Sequence, residues 1–223
     1  MVRVMIVDDE ALIRSGLTLI LQSAPDIEVV ASTDGVRAVE EVRRHHPDVL
    51  LLDLRMPEVD GLTVLHRLAP EPVRPAVAVL TTFDADEFVA RALGAGAVGF
   101  LLKDTEPEQL VHAVRTVAAG GSVLSPAVTR TVIDGYLSGG ARPDDIARVR
   151  AMSPREHEVL ALLGEGLSNA DIGRRLHLSP ATVKDYVSAV LDRLGVANRV
   201  QAALIARDVG VSAPVDVTSG WAR

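Results

Sequence analysis

Cysteine is missing from all 223 residues. Neither a disulfide framework nor a thiolate metal site is therefore available, which suits a reducing compartment. No apolar run reaches the roughly 18 residues that a membrane-crossing helix needs. The apolar start Val2–Val7 is too short for a signal-peptide core and runs straight into Asp8-Asp9-Glu10, so no leader is expected. Lysine is almost absent as well: of 23 Lys and Arg residues, only Lys103 and Lys184 are lysines. Lys is a compact point charge and Arg a planar fork, so a chain that otherwise uses Arg singles out these two positions. Together the absences predict a cytoplasmic protein with no membrane partner.

What the chain does carry is unevenly spread. Its net charge is −7, but residues 1–122 hold 11 basic and 19 acidic side chains, a balance of −8, whereas 151–212 hold seven of each. Bulk charge therefore argues against nucleic-acid binding by the first region. In the second region any such contact must come from individually placed cations.

Residues 1–120 alternate apolar runs with amphipathic stretches. The runs Val2–Val7, Ile27–Ala31, Val49–Leu52, Ala76–Leu80 and Val98–Leu102 are short and continuous, the pattern of strands buried on both faces of a parallel sheet. Helical periodicity lies between and after them, near 11–22, 35–45, 60–68, 85–93 and 106–119. Five such repeats predict an α/β fold, a doubly wound five-stranded parallel sheet over residues 1–122. Residues 123–150 read as a linker with one short helix near 125–137, because Ser138-Gly-Gly-Ala-Arg-Pro-Asp-Asp145 is rich in breakers. Four short helices follow at 154–164, 168–176, 180–194 and 198–209, giving a small all-α domain over 151–211 and a disordered tail over 212–223. Ser153-Pro-Arg-Glu156 is a capping-box signature, and Ser179-Pro180 repeats the start signal. Gly94-Ala-Gly96-Ala-Val-Gly99 matches the dinucleotide fingerprint but follows a helix and opens a strand, the reverse of the required context. It is rejected, with Gly94 read as a helix cap. The six histidines, His45, His46, His66, His112, His157 and His177, show no metal-ligand spacing.

Ligands of open α/β sheets bind beyond the carboxyl ends of the strands. Asp8 and Asp9 follow the first strand, Asp53 ends the third, Thr81 the fourth and Lys103 the fifth. A single Asp after a strand is usually a turn or cap; five polar groups at one edge form a constellation. Clustered carboxylates repel, and a hard divalent cation such as Mg2+ relieves that repulsion through oxygen ligands. A carboxylate can also attack phosphorus to give an aspartyl phosphate, and the charge that develops calls for a metal, an ammonium and a hydroxyl. The set thus assigns Asp8 and Asp9 to the metal, Asp53 to the phosphoryl group, and Thr81 and Lys103 to its oxygens.

The segments Val7-Asp-Asp-Glu10, Leu52-Asp-Leu-Arg-Met-Pro57, Asp60-Gly61, Leu80-Thr-Thr82 and Gly99-Phe-Leu-Leu-Lys-Asp104 resemble the receiver domain of response regulators. That resemblance implies that Asp53 is the phosphoacceptor and Asp9 a direct metal ligand, with Asp8 a second or indirect one. It adds the backbone carbonyl of Arg55 as a ligand to Mg2+. Thr81 and Phe100 fall on the family's switch pair. Phe100 lacks a hydroxyl, so only its packing can report a change, and it reads equally well as core.

In the second region Leu167, Ile172, Leu176 and Leu178 continue into Val183, Val187, Val190, Leu191 and Leu194 as one apolar face. Thr182, Lys184, Asp185, Ser188 and Asp192 make the polar face. Periodicity alone fits a plain helical bundle. However, Leu162–Leu176 followed by Leu178–Val187, flanked by Ser153-Pro-Arg-Glu156 and Leu194-Gly-Val-Ala-Asn-Arg199, resembles the LuxR-type helix-turn-helix of NarL/FixJ response regulators. The resemblance implies that 180–194 lies in the major groove. Thr182 then contacts phosphate, and Lys184 phosphate or a guanine edge. Asp185 either accepts from a cytosine amino group or repels phosphate, and Ser188 stands where other members carry Lys. A neutral domain binds weakly alone, so a homodimer on double-stranded DNA is expected. Val200, Ala203 and Leu204 form either its surface or intramolecular core. The resemblance further implies a sensor histidine kinase as partner and no enzymatic activity of its own. A phosphatase-type hydrolase would need a second Asp two residues after its nucleophile at the first strand, and Asp8-Asp9 lacks that spacing.

Overall fold

The computed structural model describes residues 1–71, 74–81, 86–124 and 143–212. The chain divides into two compact units, Met1–Gly139 and Gly140–Arg223.

In the first unit β1 (Val2–Val7), α1 (Ala11–Gln22), β2 (Ile27–Thr33), α2 (Ala38–His45), β3 (Val49–Asp53), α3 (Gly61–Leu68), β4 (Ala76–Thr81), α4 (Asp86–Gly94), β5 (Gly99–Leu102), α5 (Pro107–Ala118) and β6 (Val123–Leu124) follow in order. The strands are parallel and ordered β2-β1-β3-β4-β5-β6. Parallel neighbours require crossovers, and helices supply them. The crossovers cover the sheet, which explains the unbroken apolar runs: every residue of β3 is buried, Asp53 included. Leu50, Leu51 and Leu52 are fully buried, each contributing roughly 1.5–3 kcal/mol by transfer.

The sixth strand corrects the expected five. Val123 pairs with Gly99 and Leu124 with Phe100 in residues assigned to the linker. Two residues are too few to show a period, so no sequence signal announces them. Gly94 needs a smaller correction. It is the last helical residue of α4, and the left-handed position is Gly96, at φ 107°. Gly96 N–H donates to the Leu93 carbonyl and Ala97 N–H to that of Ala92, a Schellman closure that needs a residue without a Cβ at this point.

The second unit holds α6 (Pro143–Arg150), α7 (Pro154–Gly164), α8 (Asn169–Leu176), α9 (Pro180–Leu194) and α10 (Arg199–Val209). α6 corrects the linker expected over these residues, where Pro143-Asp-Asp looks like a turn. Pro at the first position and acids in the first turn are equally a helix start. Val149 buries into the unit's core beside Val159, Leu160, Ile172, Val183 and Val190. Arg148 donates to the Leu194 carbonyl at 2.8 Å, capping α9. Among the described residues no helix is long and apolar enough to cross a membrane. The expected helix at 125–137 and the tail beyond Ser212 lie outside the described residues.

Candidate functional site

Parallel pairing brings the carboxyl ends of β1, β3, β4 and β5 to one edge, and the sequence-predicted groups meet there. Asp53 is the last residue of β3, Thr81 the last of β4, and both are buried. Lys103 follows β5 and puts its ammonium 2.9 Å from Asp53 Oδ2 and 2.8 Å from Asp8 Oδ2. One ligand oxygen each from Asp8, Asp9 and Asp53 can be chosen so that all lie within 4.8 Å of one another. That span is compatible with a single divalent cation.

The electrostatics follow from burial. Burial pushes the Asp53 carboxyl above its ordinary value, against the opposing pull of Lys103 and of the Arg55 N–H, which donates to Asp53 Oδ1 at 3.2 Å. For Lys103, burial acts downward, but the close Asp8 carboxylate and the hydrogen bond to Asp53 outweigh it and raise the ammonium above the usual lysine range. It therefore remains a fixed positive charge. Asp8 Oδ2 is wholly buried. Although the ammonium stands close to it, no hydrogen bond is well directed at this oxygen. The pair is a Coulomb contact, and an oxygen-seeking cation would satisfy the orphaned Asp8 oxygen.

Two turns hold the acids. Asp60 caps α3 by accepting from the Thr63 N–H at 2.6 Å, a bond that also lowers the Asp60 carboxyl. Gly61 packs so tightly on β3 that a methyl group there would be driven into the Asp53 carbonyl oxygen and stand 2.8 Å from Leu54 Cα. Sequence reasoning missed two residues. Glu10 lies 3.6 Å from the Lys103 ammonium, and its N–H donates to Asp8 Oδ1 at 2.9 Å. Arg14 donates to the Asp8 and Asp9 carbonyls at 2.7 and 3.0 Å. Phe100 is fully buried in the middle of β5, opposite Val79, which suits both of its readings.

In the second unit α8, the turn His177–Ser179 and α9 form two helices joined by a tight break. His177 takes the left-handed conformation, at φ 55°, and ends α8. Ser179 then caps α9 by accepting from the Thr182 N–H at 3.1 Å. The expected capping box is present in both directions: Ser153 N–H donates to Glu156 Oε2 at 2.7 Å, and Glu156 N–H to Ser153 Oγ at 3.3 Å. Arg193 of α9 donates to the other Glu156 oxygen, tying α7 to α9. Lys184, Asp185 and Ser188 are exposed along α9. Thr182 is half-buried, with its hydroxyl 2.8 Å from Ser179 Oγ, and Ser188 donates to the Lys184 carbonyl at 3.0 Å. Of the expected dimer set, Ala203 and Leu204 are half-buried. Val200 is buried, which fits the intramolecular-core reading for that residue. Arg199 was also missed. It is buried without a carboxylate partner among the described residues, and burial pulls it down to about 10. It donates to Asn169 Oδ1 and to the Leu167 carbonyl.

Known proteins share both halves. Residues 4–115 match the response regulator receiver domain family, and residues 150–206 match the luxR family of bacterial regulatory proteins. The chain is 35% identical to the transcriptional regulatory protein LnrK of Bacillus subtilis strain 168, covering 95% of this chain and 99% of that one. It is 36% identical to the nitrate/nitrite response regulator NarL of Escherichia coli K12, covering 90% and 93%. Among solved structures it resembles the response regulator ChrA of a heme-sensing two-component system (35% identity, TM-score 0.51, 94% of this chain and 98% of that one). It also resembles RcsB in a structure of two RcsB dimers bound to two parallel DNAs (25% identity, TM-score 0.53, 92% and 96%). The acidic sheet edge in one unit, the helix-turn-helix in the other and these likenesses agree: this chain belongs to the NarL/FixJ family of response regulators, with a receiver domain and a LuxR-type DNA-binding domain, and is a transcription regulator rather than an enzyme.

Proposed function

We propose that this regulator is switched by phosphorylation of Asp53 and, once switched, binds double-stranded DNA as a homodimer in the cytoplasm. The receiver domain then includes β6 as well as residues 1–122, and the DNA-binding domain includes α6 as well as residues 151–211. The observation that carries the reading is the Asp53 carboxylate, buried at a strand end, 2.9 Å from a lysine ammonium and grouped with two further carboxylates.

The donor is a phosphohistidine of a sensor histidine kinase. An Asp53 oxygen forms the new O–P bond, the P–N bond breaks, and the imidazole leaves with the electron pair. Asp8, Asp9, Asp53 and the Arg55 carbonyl would hold Mg2+, which when bound draws negative charge from the phosphoryl oxygens. Lys103 supplies a second positive charge already in place, and the Thr81 hydroxyl a donor. The phosphoryl group then draws Thr81 and Lys103 toward it, and the packing around Phe100 carries the change outward.

On DNA, α9 lies in the major groove. Thr182 meets phosphate, Lys184 phosphate or a guanine edge, and Asp185 either accepts from a cytosine amino group or repels phosphate. The Ser188 hydroxyl is already used on the Lys184 carbonyl. α10 contributes Ala203 and Leu204 to the dimer surface. The test is incubation with a small phosphodonor and Mg2+, following acid-stable intact mass. One phosphoryl group on the native chain and none on Asp53→Asn is expected; equal incorporation in both removes Asp53 as the acceptor.

A further inference from the structure

We propose that Arg14 is a positioning residue for the metal site, resting on the reading above that Asp8 and Asp9 hold Mg2+. The two acids sit on the short turn between β1 and α1. A turn that must present two adjacent carboxylates in one direction has its own carbonyls to satisfy in the other. Arg14, half-buried on α1, meets both with one terminal nitrogen, at 2.7 Å to the Asp8 carbonyl and 3.0 Å to that of Asp9. That nitrogen carries two hydrogens, one for each oxygen. Glu10 closes the same turn from the other side: its N–H donates to Asp8 Oδ1, and its carbonyl accepts from the Arg14 N–H at 3.1 Å.

The sign of the effect separates positioning from charge. A guanidinium acting only through its field repels a dication, so removing it would tighten Mg2+ binding. Removing the clamp instead frees both carbonyls to turn and lets the two carboxylates diverge, which weakens binding. Groups that orient metal ligands from behind are worth about 10–100-fold in affinity. Placing a cation against the positive end of α1 costs stability, and orientation of the turn is what that cost secures.

The experiment is titration of the full chain with Mg2+ by calorimetry, for the native protein, Arg14→Lys and Arg14→Met, with urea unfolding of each in the absence of metal. Arg14→Met is expected to bind Mg2+ at least tenfold more weakly, and Arg14→Lys, which still has hydrogens for both carbonyls, to lose less. An unchanged or tighter affinity in folded Arg14→Met overturns the proposal. Should Arg14→Met fail to fold, Arg14→Gln decides on the same criterion, since its amide reaches at most one carbonyl. If the native chain itself takes up no Mg2+, the metal reading of the acidic cluster fails, whatever the role of Arg14.

Discussion

Replacing Gly61 by alanine should damage the receiver although the change adds one methyl group at a helix start. The methyl would meet the Asp53 carbonyl oxygen and Leu54 Cα, both backbone atoms of a buried strand end, so no side chain can swing aside. Overpacking of this kind costs about 1–3 kcal/mol. Alanine returns less than the ~1 kcal/mol it gains over glycine inside a helix, because Gly61 is only the first helical residue. A net loss of about 1–2 kcal/mol is expected, or roughly 3–7 °C in the melting temperature of a unit this size. Gly16→Ala is the matched control. Gly16 lies inside α1 and a methyl there meets nothing within 4 Å, so a gain of up to about 1 kcal/mol is expected. The assay is thermal and urea unfolding of both variants followed by circular dichroism, with phosphoryl incorporation as a second readout. Gly61→Ala should also slow incorporation, because the turn it pushes carries Asp53. A Gly61→Ala protein as stable and as reactive as the native one would refute the packing argument.

The second unit supplies three more predictions. Glu156→Ala removes a capping box and the tie to Arg193 and should cost about 1–2 kcal/mol in urea unfolding. Glu156 is held below its ordinary value, first by the Ser153 N–H. Its contribution is therefore present above the unfolded glutamate pKa and lost as pH falls through the lower folded value. The gap between native and Glu156→Ala should close with acid; a gap constant down to strongly acidic pH would contradict the assignment. Lys184→Ala should lower the slope of log affinity for DNA against log salt by about one. Asp185→Ala should leave that slope nearly unchanged or raise affinity for arbitrary sequence while erasing a cytosine preference, as read by selection from random duplexes. A selected consensus identical to that of the native chain would show that Asp185 reads no base.

Much of the molecule was written in periodicity. Continuous apolar runs marked the central strands because both faces of the sheet are covered, and the polar residues that end those runs had nowhere to lie but the sheet edge. Ser153-Pro-Arg-Glu156 declared α7 because capping is local chemistry. What escaped depended on distance or brevity. β6 exists only because Val123 and Leu124 find β5 beside them. α6 was hidden by a proline and two aspartates that open a helix as readily as a turn. Val200 stayed open between surface and core because which side of α10 is buried depends on its neighbours, not on its own spacing. Arg14 and Arg199 act on backbone carbonyls, and no pattern of residue types announces a carbonyl as a partner.

The account's central claim is a coupling between Asp53 and DNA, and one measurement meets it directly: the affinity of the full chain for a duplex selected by the protein, with and without phosphodonor, for the native chain and for Asp53→Asn. Coupling between two such sites is worth about 1–3 kcal/mol, so the native chain should bind about 5- to 150-fold more tightly when phosphorylated, while Asp53→Asn should not respond. Equal affinity of the phosphorylated and unphosphorylated native protein would contradict the switch, leaving a DNA-binding protein whose receiver controls nothing.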